Sequence, residues 1–141
     1  MYGGDTAWLT RTVLKLRPPS REAEDQTKLR DRLLEEIPKK IAGVKVNGHR
    51  TNRLPNNAHF SFEKVSGESL LMSLDMIGIA ASMGSACTSG AMEPSHVLRA
   101  IGLSDDLALG SLRISLGRWS TAEEVDNLLE HLPKIIKTLR I

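Results

Sequence analysis

Between Arg21 and Ile37 apolar residues recur at three- and four-residue steps. Leu29, Leu33, Leu34 and Ile37, continued by Ile41, predict a helix with one buried stripe. Acidic and basic residues alternate around that stripe, as on a solvated face. Pro38 is expected to end the helix, leaving Lys39 and Lys40 where the helix dipole favours cations. The period then changes to two. Val44 and Val46 flank Lys45 ahead of an Asn47-Gly48 turn signal. AHFSFE puts Ala58, Phe60 and Phe62 on one face of a strand and His59, Ser61 and Glu63 on the other. NGHRTNRLPNN between these strands is a loop by composition. Ser66 reads as an N-cap, with Glu68 in the first turn and Leu70, Leu71, Leu74 and Ile77 as the buried stripe.

GIAAS (78–82) reads as a small-residue strand and MGSACTSGAM (83–92) as a flexible loop. Pro94 suits the first turn of a short helix, with Val97, Leu98 and Ile101 inward and Gly102 at its end. SLRISLG (111–117) is the cleanest strand: Leu112, Ile114 and Leu116 face one way, Ser111, Arg113 and Ser115 the other. The last helix opens on Ser120 and Glu123 as a capping box and keeps its period from Val125 to Leu139, with Pro133 expected to kink it. These elements predict an α+β fold: a small, mostly antiparallel sheet of about three or four strands, one apolar face covered by helices and one polar face open to a ligand or partner. Residues 1–20 stand apart as an unassigned segment; AWLTRTVLKL within it has the pattern of a short amphipathic helix ended by Pro18-Pro19.

With 141 residues, 40% of them hydrophobic and 26% charged, the chain has the size and balance of one globular domain. Its single cysteine excludes an internal disulfide and a cysteine-rich zinc site, and fits a reducing, cytoplasmic setting. No uncharged run is long enough for a membrane span. A net charge of +2 and a modest basic stretch from Lys39 to Arg53, without interleaved aromatics, do not point to nucleic acid.

Cys87 is the most informative residue. Structural cysteines usually sit among bulky apolar neighbours, but Gly84, Ser85, Ala86, Thr88, Ser89 and Gly90 surround this one. Such a loop can swing a thiol by several ångströms, so Cys87 is either a free cysteine in a surface turn or a mobile nucleophile. No histidine is fixed as its base, and the Gly-Ser loop alone is weak ground for an anion cradle. Arg113 stands between two serines on the polar side of its strand; it is either a sheet-surface ion-pair partner or a forked donor to a carboxylate. Arg118 is a less constrained version of the same case. His49, His59, His96 and His131 show no metal-ligand spacing, and no metal site is expected.

SMGSACTSGAMEPSHVLRAIGL followed by SLRISLGRWSTAEEVDNLL closely resembles the C-terminal part of the cysteine desulfurases, fold-type I pyridoxal-phosphate enzymes of the class V aminotransferase group. LRDRLLEEIPKKIAGVKVNG and LPNNAHFSFEKVSGESLLMSLD match the same family in the same order, so the resemblance covers residues 26 to 141 and makes 21–141 a small C-terminal domain. It implies that Cys87 attacks the sulfur of a substrate L-cysteine held on pyridoxal phosphate and leaves as a persulfide, with L-alanine as the product. It implies that Arg113 binds the substrate α-carboxylate and that residues 84–90 form the catalytic loop. The loop resembles that of the branch serving iron–sulfur cluster assembly, which implies a scaffold or other sulfur-acceptor protein as partner and a homodimer in the complete enzyme. His96 matches a position with no catalytic role.

The resemblance also implies a large domain whose Schiff-base lysine lies in a Ser-x-His-Lys context. No lysine of this chain follows a histidine, so no cofactor-binding residue is expected within it, and the chain alone is expected to be inactive. It reads as a truncated domain or as one piece of a split enzyme. The alternative is a non-enzymatic sulfur carrier or interaction module using Cys87.

Overall fold

The computed structural model describes residues 20–84, 87–88 and 91–140. The amphipathic pattern at 7–16 lies outside them. Helix α1 (Arg21–Lys40) starts where the Ser20 hydroxyl accepts from the Ala23 N–H at 3.2 Å, and it buries Leu33, Leu34 and Ile37. Pro38 lies inside this helix rather than ending it. In the last turn its missing N–H orphans only one carbonyl, and the Ile41 N–H still closes on the Ile37 carbonyl at 3.0 Å.

Strands β1 (Val44–Val46) and β2 (Asn57–Phe62) pair antiparallel, with Val44 opposite Phe62 and Val46 opposite Phe60. Helix α2 (Gly67–Asp75) follows, capped by the Ser66 hydroxyl, and buries Leu70 and Leu74. Ile77 does not continue the stripe. It is exposed, because the helix stops at Asp75 and the Ile79 N–H turns back onto the Leu74 carbonyl. That turn also explains why residues 78–82 do not form a fourth strand: only Ser82 reaches the sheet, through a two-bond bridge to Arg113.

The stretch read as a loop contains a minimal hairpin, β3 (Cys87–Thr88) paired with β4 (Ala91–Met92). Ser95, not Pro94, starts α3 (His96–Ala100), its hydroxyl accepting from the Leu98 N–H at 3.4 Å. A helix this short has one inward position, so Leu98 is buried while Val97 and Ile101 stay 56% and 51% exposed, against the expectation that all three face in. Helix α4 (Asp105–Leu109), capped by Ser104, was not foreseen; with α3 it encloses a satellite core of Leu98, Leu103 and Ala108. Gly110 joins it to β5 (Ser111–Ser115), and a Cβ there would stand 2.4 Å from the Phe62 carbonyl, a distance that only glycine avoids.

β5 pairs antiparallel with β2, which gives the sheet order β1-β2-β5 and the three-stranded α+β fold that the periodicity predicts. Helix α5 (Ala122–Leu139) continues through Pro133. Its capping box is one residue later than expected, Thr121 with Glu124, because the Ser120 hydroxyl is taken by the Gly117 N–H at 3.0 Å. Helices α1, α2 and α5 bury the apolar sheet face. Phe60, Phe62 and Leu112 meet Leu33, Ile37, Leu74 and Leu132 in one continuous core. No described helix is long and apolar enough to cross a membrane.

Replacing the fully buried Phe60 with Ala should cost about 3–5 kcal/mol in a urea or thermal unfolding series. Thr121→Ala should cost about 1 kcal/mol, and Ser120→Ala clearly less. The opposite order would place the cap at Ser120.

Candidate functional site

The burial of Ala58, Phe60 and Leu112 under the helices turns the intervening residues of β2 and β5 to the opposite face. There Ser61 pairs with Ser111, and His59 stands directly opposite Arg113. Both serines are fully buried. The Asn47 amide donates to the Ser61 hydroxyl at 2.8 Å, and the Ser111 hydroxyl accepts from the Gly84 N–H at 3.1 Å. A buried polar layer therefore floors this side of the sheet. Above it opens a cleft of about 350 Å³ whose walls include Asn47, Arg53, His59, Leu98 and Arg113, with Gly84 at its edge. None of the described lining residues is an acid or a lysine.

His59 is the unusual group here. Its Nε2 is buried with no hydrogen-bond partner among the described residues. Burial, and then the charges of Arg113 and Arg53, lower its pKa to about 4, so the imidazole is neutral at neutral pH. Arg53 donates from Nη2 to the Asn47 carbonyl at 3.1 Å, while its buried Nε and Nη1 lack partners among the described residues. Burial, reinforced by the like charge of Arg30, lowers its pKa as well. Arg113 is exposed at the cleft, and its backbone holds Ser82 in the isolated bridge.

That bridge fixes the backbone two residues before Gly84, where the predicted catalytic loop begins. Ser82 and Gly84 are both tied to β5, the strand of Arg113. A Cβ on Gly84 would stand 2.7 Å from Leu98 Cδ1 and 3.0 Å from the Ser111 hydroxyl, so a side chain at the base of the loop would require Leu98 to shift. The backbone of Cys87 follows three residues on, so the chain itself keeps its Cα within about 11 Å of that of Gly84. Cys87 and Thr88 lie on β3; Ser85, Ala86, Ser89 and Gly90 lie outside the described residues. Gly84 and Arg113 thus share one cleft. Arg118 lies elsewhere, 3.5 Å from Glu22 and stacked toward Trp119. His49 accepts from the Thr51 and Asn52 N–H groups within its own turn, and His131 bonds the Asn127 carbonyl one helical turn back.

Sequence reasoning missed Arg53 and Asn47, which lie in and beside a loop with no periodicity to place them. It placed His59 on the polar face without assigning it a role. The available signal was that His59 and Arg113 occupy outward positions of two strands that pair.

A model of the aminotransferase class-V family matches residues 19–128. The cysteine desulfurase IscS of Dictyoglomus turgidum is 49% identical over 120 residues, a match that covers 85% of this chain and 30% of that protein. IscS of Methanosarcina thermophila is 53% identical over 113 residues, covering 80% of this chain and 28% of that protein. Among solved structures, a NifS-like protein superposes with a TM-score of 0.70 at 30% identity, and the NifS-like protein of Rickettsia africae with 0.72 at 25%. Each of these covers 84% of this chain, and 29% and 30% of the solved chain respectively. The chain spans about 30% of the length of the curated relatives it matches.

A histidine whose pKa falls from 6.5 to about 4 on folding binds fewer protons in the native state than in the unfolded one. Its contribution to stability is complete above pH 6.5 and is lost as pH falls toward 4. His59→Gln should therefore reduce the pH dependence of stability between these limits by up to about one proton, read from unfolding free energies against pH. Identical slopes in the two proteins would show that His59 titrates normally.

Proposed function

Because this chain belongs to the class-V aminotransferase family, we propose that it is the sulfur-accepting, carboxylate-binding part of a cysteine desulfurase. The observation that carries this reading is the shared cleft. Arg113 opens into it without a carboxylate partner among the described residues, and the residues leading to Cys87 are tied to the strand of Arg113. The high identity to cysteine desulfurases supports the same reading.

In this proposal Arg113 presents its planar fork to the α-carboxylate of L-cysteine and fixes where the substrate sulfur lies. The Cys87 thiolate attacks that sulfur. An S–S bond forms as the C–S bond breaks, the electron pair stays with the substrate carbon, and a proton added there completes L-alanine. The persulfide on Cys87 is then passed to an acceptor, as iron–sulfur cluster assembly or another sulfur-transfer route requires. The cationic cleft favours the thiolate of whichever sulfur enters it.

Pyridoxal phosphate, the family's cofactor, does not fit this cleft as a covalent guest: its cations are guanidinium groups, and no lysine amine lines it. The chain's own contribution is limited to binding the carboxylate and accepting sulfur. The lysine and the cofactor chemistry belong to a polypeptide region beyond the part of the relatives that this chain spans.

The purified chain given pyridoxal phosphate and L-cysteine should release no sulfide. Combined with a cofactor-binding region of a relative, it should turn over and gain one sulfur on Cys87 by mass spectrometry. Cys87→Ser should abolish both the added sulfur and sulfide release. Arg113→Ala should chiefly raise KM, by about 2–5 kcal/mol of lost binding if the ion pair is desolvated. Turnover that survives Cys87→Ser would rule out Cys87 as the nucleophile, and an unchanged KM would rule out the carboxylate role of Arg113.

A further inference from the structure

The cleft holds a second cation that carboxylate binding at Arg113 does not use. The Arg53 guanidinium lines the same cleft, with buried Nε and Nη1 unpartnered among the described residues. Its one hydrogen bond among the described residues is to a backbone carbonyl, and Asp31 acts on its charge through space without bonding it. A partly desolvated guanidinium is stabilised chiefly by a carboxylate or a similar anion in its fork, and no described residue lining the cleft supplies one.

The positions of the two arginines follow from the sheet. Arg53 is fastened to the carbonyl of Asn47, whose N–H bonds the carbonyl of His59 at 2.9 Å, and His59 pairs with Arg113. The two guanidinium anchors therefore lie in one row across three neighbouring strands. The backbone of His59 lies between these two anchor points. Both arginines line one cleft of about 350 Å³, which has room for a small molecule carrying two carboxylates.

We propose that Arg53 and Arg113 form a two-point anion site that takes a small dicarboxylate, one carboxylate in each guanidinium fork, bridging over His59. The assignment rests on Arg113 acting as a carboxylate clamp, as in the proposed function, and adds a ligand class and a second residue to that site. The neutrality of His59 suits the middle of such a row, since a third positive charge there would repel both arginines. A bound dicarboxylate occupies the fork that cysteine needs, so it acts as a competitor of the substrate.

The test is a titration of the full 141-residue chain with succinate and, separately, acetate, following the arginine Nε–Hε NMR signals. Succinate should bind at least about tenfold more tightly than acetate, because the second contact forms within an already bound ligand. It should move the signals of Arg53 and Arg113 together along one binding curve, whereas acetate should move them only at its weaker affinity. Arg53→Gln should reduce succinate affinity at Arg113 to that of acetate. Arg53→Lys, which keeps the charge and can still donate to the Asn47 carbonyl, should retain most of the preference. If acetate moves Arg113 but succinate gains nothing, or its advantage survives Arg53→Gln, the two-point site is overturned and the clamp stands. If neither ligand moves Arg113, the clamp itself falls and the two-point site with it. The comparison of the two ligands on the unaltered chain decides the matter even if Arg53→Gln does not fold.

Discussion

The two-residue period of β2 and β5 is the constraint on which the rest of the molecule depends. Phe60 and Phe62 from one strand and Leu112 and Ile114 from the other share one buried core with the apolar stripes of α1 and α5. Once they do, Ser61, Ser111, His59 and Arg113 have to emerge on the opposite face, in pairs. A slip of one residue would turn Arg113 of β5, or His59 of β2, toward the phenylalanines and expose the core. The cleft is thus held by the same energy that folds the domain, with no separate device to position Arg113.

The electrostatics of the polar face follow from that arrangement. The sheet brings His59 next to Arg113, and the loop from β1 returns Arg53 to the other side of it. Burial first, and then the charges of Arg113 and Arg53, disfavour a proton on His59, so the imidazole stays neutral between two guanidiniums. Positive charge is then concentrated at the two ends of the row. Polar atoms that lack partners among the described residues, His59 Nε2 and two nitrogens of Arg53, gather at the same place. Buried orphans are rare in folded proteins because each costs free energy; several in one cleft mark a surface built to be completed by something else.

Elements set by long periodic patterns were legible in the sequence. The stripes of α1, α2 and α5, and the inward and outward faces of β2 and β5, follow from burial alone. What escaped was decided by single hydrogen bonds or by length. Pro38 was read as a terminator, but a proline one turn from a helix end removes too little to stop it. The capping box shifted to Thr121 because Gly117 had already claimed Ser120. Val97 and Ile101 follow a helical period that a five-residue helix cannot bury, and α4, equally short, has too few turns to show a period. Residues 78–82 have strand composition, but their backbone is tied back to α2. For the site, Arg113 was legible because its strand is regular. Arg53 was not, because a tertiary hydrogen bond to Asn47 places it.

The base of the loop at residues 82–84 connects the fold to the proposed chemistry. Ser82 is bonded to the backbone of Arg113, and Gly84 to the side chain of Ser111 two residues earlier on the same strand. Arg113 and the start of the segment leading to Cys87, the clamp and the sulfur acceptor of the proposed reading, are therefore referenced to one strand, and whatever positions β5 positions both. Glycine at 84 suits this close approach, since a Cβ there would press on the side-chain ends of Leu98 and Ser111 and require them to give way. A thiol on a loop needs freedom to reach a substrate and then an acceptor, but that freedom is useful only if it begins from a fixed point. Here the fixed point lies three residues before Cys87.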